Sequence, residues 1–228
     1  MHFSWFHLIP ALHQVPDHVL TAGLVTFLIC VMSLIAGALA KDVERAVIPD
    51  QGFSFRGVFE ILVEFINGLA ENVIGHGSAK YVPIVGSVFV FILFNNLFGL
   101  LPGFNPATDN LNTTLACGLF AFVLYNWAGV KENGLAYFKH FLGPLIWLAP
   151  LMLPIELISH LVRPMSLGLR LFGNMTGDHK VLSIFLDLTP YFVPMIFYGL
   201  GLFVCFVQAF VFTLLSMVYI SLATAHDH

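Results

Sequence analysis

The sequence predicts an all-α integral membrane protein with a single membrane domain over residues 1–228. Of its 228 residues, 58% are hydrophobic and 10% are charged, and the mean hydropathy is +0.89. A soluble domain carries about a quarter charged residues, so this chain has too few charges to cover a water-soluble globule of its size. The second observation is a series of apolar runs long enough for helices that cross a bilayer, which needs about 20 residues.

Charge, cysteine usage and motifs exclude several functional classes. The net charge of −4 comes without a basic patch, which argues against a nucleic-acid partner. The cysteines Cys30, Cys117 and Cys205 each lie inside an apolar run without a CxxC spacing, so we expect buried thiols and neither a disulfide nor a metal site. No Walker-type phosphate loop occurs, so no nucleotide, metal or other cofactor is expected on this chain. The N-terminus has no basic n-region, and we expect no cleavable signal peptide.

Three upright membrane helices and one surface helix are expected in the first 130 residues. Residues 20–40, 82–101 and 112–130 are each apolar over the length of a transmembrane helix. In residues 54–74, apolar and polar side chains recur at spacings of three and four. This pattern is typical of an amphipathic helix that lies on the membrane surface or packs on the bundle. Residues 103–110 are rich in turn-forming residues and predict a loop.

Two longer helices are expected in the second half of the chain. Residues 193–223 are apolar throughout, and residues 145–186 form an apolar run about twice the length of a normal span. Polar and charged residues nevertheless lie inside this second run: Glu156, His160, Arg163, Arg170, Asn174, Asp178, His179 and Lys180. At 100° per residue, the first six of these fall within about 80° of one another. Charges inside a membrane cost on the order of several kcal/mol, so such a stripe indicates an ion path.

Individual members of this group have plainer interpretations as well. Lys180 can extend its side chain to an interface, and Arg163 can do the same near the inner surface. His179 lies about 140° from Glu156 around the helix, so it can serve a different passage, either as a proton relay or as a hydrogen-bonded side chain. Arg170 has apolar neighbours and no carboxylate three or four residues away. Its partner is therefore expected on another helix or another subunit.

The distribution of basic residues predicts the orientation in the membrane. Six of the nine Lys and Arg residues fall in two segments that alternating topology places on the same side: Lys41, Arg45, Arg56, Lys80, Lys131 and Lys139. Because basic loops stay inside, we expect the N-terminus outside and the C-terminus in the cytoplasm. We therefore expect a multi-pass membrane protein in this orientation.

The segment PMSLGLRLFGN at 164–174 resembles the signature of subunit a of F-type ATP synthases, which carries S-L-x-L-R-L-F-G-N around an essential arginine. The runs at 95–102, 111–115 and 208–215 are similar to that family in the same order. In this family, two long tilted helices form a hairpin that faces a rotating ring of c subunits, and two half-channels meet the ring at the arginine. The resemblance makes Arg170 that arginine. It assigns the following residues to the half-channels: Glu156, Asn174, Asp178, His179, Gln208 and Asn96.

The chain departs from the family pattern at two glycines. Gly201 stands where many members carry His or Glu, and Gly99 stands where others carry an acid. The lining of the inlet is therefore expected to come from Asp178, Asp187, His179 or water.

The resemblance implies a non-catalytic, proton-conducting subunit of the membrane sector of a proton-transporting ATP synthase. Its expected partners are the c-ring, subunit b or the peripheral stalk, membrane lipid and protons. The conducted ion is left open between proton and sodium, because the ring subunit sets it. The alternative is a self-contained ion channel or transporter, which would need a carboxylate and a base on its own helices and often has inverted repeats. A structural scaffold would not need the polar stripe.

Overall fold

The structure, a computed structural model, describes residues 15–39, 55–75, 77–101, 103–134, 137, 149–188 and 192–224. Within these residues the chain forms six α-helices and no β-strand, which confirms the all-α prediction. The helices are α1 Asp17–Leu39, α2 Phe55–Ile74, α3 Val82–Gly99, α4 Leu111–Asn133, α5 Ala149–Leu188 and α6 Phe192–Thr224. Two short 3-10 helices, Ser78–Lys80 and Ala107–Asp109, precede α3 and α4. The first residues of the expected helices 54–74 and 145–186, and the last of 20–40, lie outside the described residues.

Local sequence chemistry sets the ends of α4. The side chain of Asn110 accepts a hydrogen bond from the backbone N–H of Asn112 at 2.9 Å, which satisfies one of the free donors of the first turn. The helix ends at Gly134, whose φ of +55° is a conformation that a side chain disfavours. Asn110 and Gly134 therefore fix where α4 begins and where it ends.

Four helices are long and apolar enough to cross a membrane among the residues that the structure describes. They are Asp17–Ala38, Val82–Gly99, Leu111–Asn133 and Val193–Thr224. The 40-residue helix α5 is longer than any of them but carries the polar stripe. At 1.5 Å per residue it extends for about 60 Å, roughly twice the thickness of a bilayer core, so it fits a membrane only when strongly tilted.

The amphipathic helix α2 packs on the bundle through one side. Its residues Ile66 and Ala70, four positions apart, are almost fully buried in the main hydrophobic core. Phe65 lies beside rings of α3 and α6, with its centroid 6.3 Å from that of Phe89 and 6.0 Å from that of Phe210. The acidic side chain of Glu64 is on the exposed side. The packing fits the expected amphipathic pattern, and a position along the membrane surface stays a prediction.

Helices α4 and α5 approach closely at two glycines. A Cβ placed on Gly118 would lie 2.4 Å from the backbone oxygen of Pro164. A Cβ on Gly168 would lie 3.0 Å from the backbone oxygen of Thr114. Small residues allow membrane helices to make such backbone contacts, so these glycines set the position of α5 on the bundle.

An ion pair joins the segment before α3 to the end of α4. Lys80 donates a hydrogen bond to the carboxylate of Glu132. This hydrogen bond raises the pKa of Lys80 above its usual value, so its ammonium group remains charged at neutral pH. Nearby, Lys131 lies over the ring of Trp127 at 4.6 Å from its centroid. Both basic residues therefore lie at the same end of the bundle, opposite the loop at 103–110.

Candidate functional site

The polar stripe of α5 follows one edge of its buried face. That face is formed by side chains with a spacing of four residues: Leu167, Leu171 and Met175. Arg170 and Asn174 lie at its edge and are exposed, whereas Glu156 and Asp178 are half-buried. His160 is buried, with 6% of its surface exposed. The polar stripe covers about 80° of the circumference of α5, which is wide enough to extend from the exposed surface into the bundle. The residues of the stripe therefore have different surroundings.

The guanidinium of Arg170 is exposed on the surface of the chain. Within the described part of the chain, this residue makes no hydrogen bond or ion pair. Its neighbour Leu169 is half exposed and Leu171 is fully buried. Among the described residues, Arg170 therefore presents a positive charge without a counter-charge on a mainly apolar surface.

A cavity of about 420 Å³ lies between α5 and α6, one turn along α5 from Arg170. Its polar walls are Asn174, Asp178 and Gln208, and the remaining walls are mainly apolar. The side-chain amide of Asn174 donates a hydrogen bond to Oε1 of Gln208 at 2.6 Å. This bond joins the two long helices next to the arginine and fixes their register there.

The two glycines that depart from the family pattern each make room for a titratable side chain of α5. A Cβ on Gly201 would lie 2.8 Å from Oδ2 of Asp178. A Cβ on Gly99 would lie 2.5 Å from Nε2 of His179 and 2.8 Å from the ring of Pro106. Nε2 of His179 is buried and has no hydrogen-bond partner among the described residues. The side chains of Asp178 and His179 thus occupy the space that a larger residue would need at either glycine.

Asn96 lies away from the cavity wall. It is fully buried, and its Oδ1 accepts a hydrogen bond from the hydroxyl of Thr108 at 2.8 Å. Its amide nitrogen donates to the backbone oxygen of Cys205 at 3.5 Å. The amide therefore joins α3, the 103–110 loop and α6. Asp187, the other carboxylate considered for the inlet, is exposed near the end of α5.

Along α5, Glu156 and Asp178 lie on opposite sides of Arg170. Glu156 is 14 residues before the arginine, about 21 Å at the rise of an α-helix, whereas Asp178 follows by eight residues, about 12 Å. Oε1 of Glu156 is 3.8 Å from Nη2 of Arg163, and Arg163 also lies over the ring of Tyr219. Titratable groups are therefore present on both sides of the arginine and well separated from each other.

His160 belongs to a network with α4 and not to the surface stripe. Its Nε2 is 2.9 Å from Oδ1 of Asn126, and its Nδ1 is 3.4 Å from the hydroxyl of Tyr125. The hydroxyl of Tyr137 donates to the same Asn126 oxygen at 3.0 Å. These contacts hold the first half of α5 on α4.

One polar contact escaped the interpretation of the sequence. The hydroxyl of Thr176 donates a hydrogen bond to Oδ1 of Asp109, in the loop at 103–110. The turn-forming composition of that loop gave no sign that it folds back onto α5. The spacing of three between Thr176 and His179, which puts both on the same side of the helix, is the only signal in the sequence. In the part of the chain that the structure covers, no group of three or more His, Cys, Asp or Glu residues could hold a metal ion.

Comparison with known proteins gives a consistent result. Residues 19–221 match the family described as ATP synthase A chain. ATP synthase subunit a of Bdellovibrio bacteriovorus is 56% identical over 229 residues, which cover 100% of both chains. ATP synthase subunit a of Geobacter sulfurreducens is 44% identical over 217 residues, covering 92% of this chain and 93% of that protein. These matches confirm the resemblance seen in the sequence, and the chain belongs to the ATP synthase A chain family.

Proposed function

We propose that this chain conducts protons to and from carboxylates of the c-ring, across Arg170, in the membrane sector of a rotary F-type ATP synthase. The observation that carries this proposal is the exposed and unpaired guanidinium in the middle of a 40-residue helix, as far as the described residues extend. An isolated charge facing lipid is costly, so a counter-charge from another subunit is expected there. A carboxylate on the c-ring would supply it.

The chemistry of arginine suits this position. A guanidinium group keeps its proton at any physiological pH, so Arg170 cannot carry protons itself. It attracts an ionised carboxylate on the ring and thereby favours release of that proton. The fixed positive charge also opposes direct transfer of protons past it. A lysine would do this less well, because burial readily removes its proton.

The arginine–carboxylate pair must be weak enough for the ring to move on. A membrane potential supplies about 2.3 kcal/mol per charge per 100 mV. Two charges 4 Å apart attract by about 4 kcal/mol at an effective dielectric constant of 20, and by about 1 kcal/mol in water. The exposure of Arg170 and the cavity one turn away support a hydrated contact, in which the driving force can separate the pair.

For the outer half-channel, the geometry favours Asp178 together with His179 over Asp187 or water alone. Asp178 lines the cavity together with Asn174 and Gln208. The cavity leads from the carboxylate of Asp178 towards Arg170. This carboxylate fills the space beside Gly201, and His179 fills the space beside Gly99 in the same way. Both titratable groups are thus supplied by neighbouring residues of α5.

For the inner half-channel, Glu156 is the residue that we assign. Its side chain is partly exposed, and its Oε1 lies 3.8 Å from the guanidinium of Arg163. An accessible carboxylate about 21 Å from Arg170 along the helix can receive protons released by the ring and pass them to water.

The wider assembly follows from family membership and charge. The chain would work with the c-ring and with subunit b or the peripheral stalk, surrounded by lipid in a bacterial inner membrane. The positions of Lys80 and Lys131 at one end of the bundle support an orientation with the C-terminus in the cytoplasm.

The test compares Arg170→Ala with Lys180→Ala in the whole complex, reconstituted into vesicles. We expect Arg170→Ala to abolish ATP synthesis driven by a proton gradient and to increase passive proton flux, while native gels show normal assembly. Arg170→Lys should also be severely impaired. Lys180→Ala removes another exposed charge on the same helix and should have a mild effect. Coupled synthesis by an assembled Arg170→Ala complex would refute the proposal.

A further inference from the structure

The loop between α3 and α4 is packed into the bundle and does not extend into solvent. Pro106, Ala107 and Thr108 are buried, and the short helix Ala107–Asp109 contacts α1, α3, α4 and α5. Loops normally lie on the surface because their backbone polar groups need water. A loop held between four helices therefore brings its own side chains close to the residues of those helices.

Asp109 is the carboxylate that this loop brings to α5. Oδ1 of Asp109 accepts the hydrogen bond from Thr176, which leaves Oδ2 for a further contact. Thr176 precedes His179 by three residues, so the two side chains are neighbours on the helix surface. Asp109 lies close enough to His179 for a direct electrostatic interaction.

The surroundings of His179 also indicate a polar contact or proton exchange at its ring. Its Nε2 is buried without a hydrogen-bond partner in the described ranges, at the place where Gly99 and Pro106 meet. A buried imidazole nitrogen without a partner is unfavourable, so it indicates a site that exchanges protons or holds water. The preceding residue, Asp178, faces the cavity that leads towards Arg170.

We propose that Asp109 is the outermost proton-carrying group of the outer half-channel and that it supplies protons to His179. The inference rests on the function proposed above. Asp109 takes a proton from the outer solution and passes it, directly or through water, to one ring nitrogen of His179. The imidazolium then releases a proton from its other nitrogen towards Asp178, which leaves the opposite ring tautomer, while Asp109 is again an ionised carboxylate. Exchange of a proton between the two ring nitrogens through water restores the starting tautomer of His179.

Other titratable and charged groups near the loop are few among the described residues. They are Asp178 and His179 on α5, and Asp17 on α1, which accepts a hydrogen bond from Asn105. Asn96 of α3 accepts a hydrogen bond from Thr108 of the loop, and Asn110, the last residue of the loop, accepts one from the backbone N–H of Asn112 in α4. Neither amide can carry a proton at neutral pH. A shift in pH dependence on removal of Asp109 is therefore assigned to the path through His179.

The competing explanation is that Asp109 only ties the loop to α5 through Thr176. Two substitutions separate these roles. Asp109→Asn keeps an oxygen that can accept the hydrogen bond from Thr176 but cannot carry a proton. Thr176→Val removes the hydrogen bond and leaves the carboxylate in place.

The experiment measures ATP synthesis by the whole reconstituted complex at a fixed membrane potential while the outer pH is varied. For Asp109→Asn we expect half-maximal synthesis to need an outer pH lower by about one unit, a tenfold higher proton concentration. Asp109→Glu should restore the original dependence, and Thr176→Val should leave it unchanged. If Asp109→Asn fails to assemble on native gels, Asp109→Ser serves in its place with the same expected shift.

An unchanged dependence on outer pH in Asp109→Asn, or an equal shift in Thr176→Val, would overturn the inference. Arg170→Ala, measured in parallel, separates this failure from a failure of the proposed function. If Arg170→Ala loses synthesis while Asp109→Asn behaves as the unmodified complex, only the role of Asp109 is wrong.

Discussion

The close contact of α4 and α5 predicts that Gly118→Ala will impair proton conduction from a distance. The added Cβ would lie 2.4 Å from the backbone oxygen of Pro164, whereas ordinary contact begins at 3.4 Å. A backbone oxygen cannot rotate away as a side chain can, so the two helices must separate by about 1 Å. Such overpacking costs about 1–3 kcal/mol, more than the gain of up to about 1 kcal/mol from replacing glycine in a helix.

The functional effect follows from the position of the contact. Pro164 is six residues before Arg170 on the same helix, so a shift of α5 displaces the guanidinium. A misplacement of about 1 Å can lower a rate by about 100-fold. We therefore expect proton-driven ATP synthesis in reconstituted vesicles to fall by about 100-fold for Gly118→Ala, with assembly on native gels retained.

Gly23→Ala is the matched control, because a Cβ at this position on α1 meets nothing within 4 Å. It should leave ATP synthesis within a factor of about two, since surface changes away from special features usually have small effects. Normal synthesis by Gly118→Ala, or an equal loss in Gly23→Ala, would show that the glycine contact does not position the arginine.

Two further predictions concern the neighbours of α5. Gly201→Ala adds a Cβ 2.8 Å from Oδ2 of Asp178, closer than the 3.4 Å of ordinary contact, so the carboxylate must move. We expect proton-driven synthesis to fall by about tenfold with assembly unchanged, a smaller loss than the roughly 100-fold that a misplacement of about 1 Å can cause. A synthesis rate equal to that of the unmodified complex would argue against a role for this carboxylate. His160→Phe removes one of the two hydrogen bonds at the amide oxygen of Asn126, where Tyr137 still donates, and should destabilise the subunit by about 0.5–1.5 kcal/mol. Thermal dissociation of the purified complex would detect this loss, and a large change in the dependence of synthesis on outer pH without any loss of thermal stability would contradict a purely structural role.

The helical framework could be predicted from composition and periodicity because both reflect local physics. An apolar run of about 20 residues has few stable alternatives to a helix in lipid, since every backbone polar group must be satisfied within the segment. The segment expected at 82–101 is the helix Val82–Gly99 in the structure. The charges inside the long run were equally informative, because a residue such as Arg170 is costly in lipid wherever it points.

The partners of the polar side chains could not be predicted in this way, because they depend on which helices meet. The ideal helix angle put His160 on the same stripe as Arg170, although the two lie about 80° apart on opposite sides of it. Only the packing of α4 against α5 shows that the edge of the stripe with His160 is buried against Asn126, whereas the edge with Arg170 is exposed. The fit of Asp178 beside Gly201 likewise joins residues of two helices and leaves no pattern within either one.

The function proposed above requires one helix to serve two half-channels without joining them, and the arrangement along α5 is consistent with this requirement. Glu156 and Asp178 are 22 residues apart, about 33 Å along the helix, which is far beyond direct proton transfer. Arg170 lies between them and keeps its charge, so a proton that moves along the surface of the helix meets a fixed positive group. Transfer from one carboxylate to the other then requires a mobile carrier that passes the arginine as a neutral acid. A rotating ring of carboxylates has this property, and its rotation is thereby tied to net proton movement.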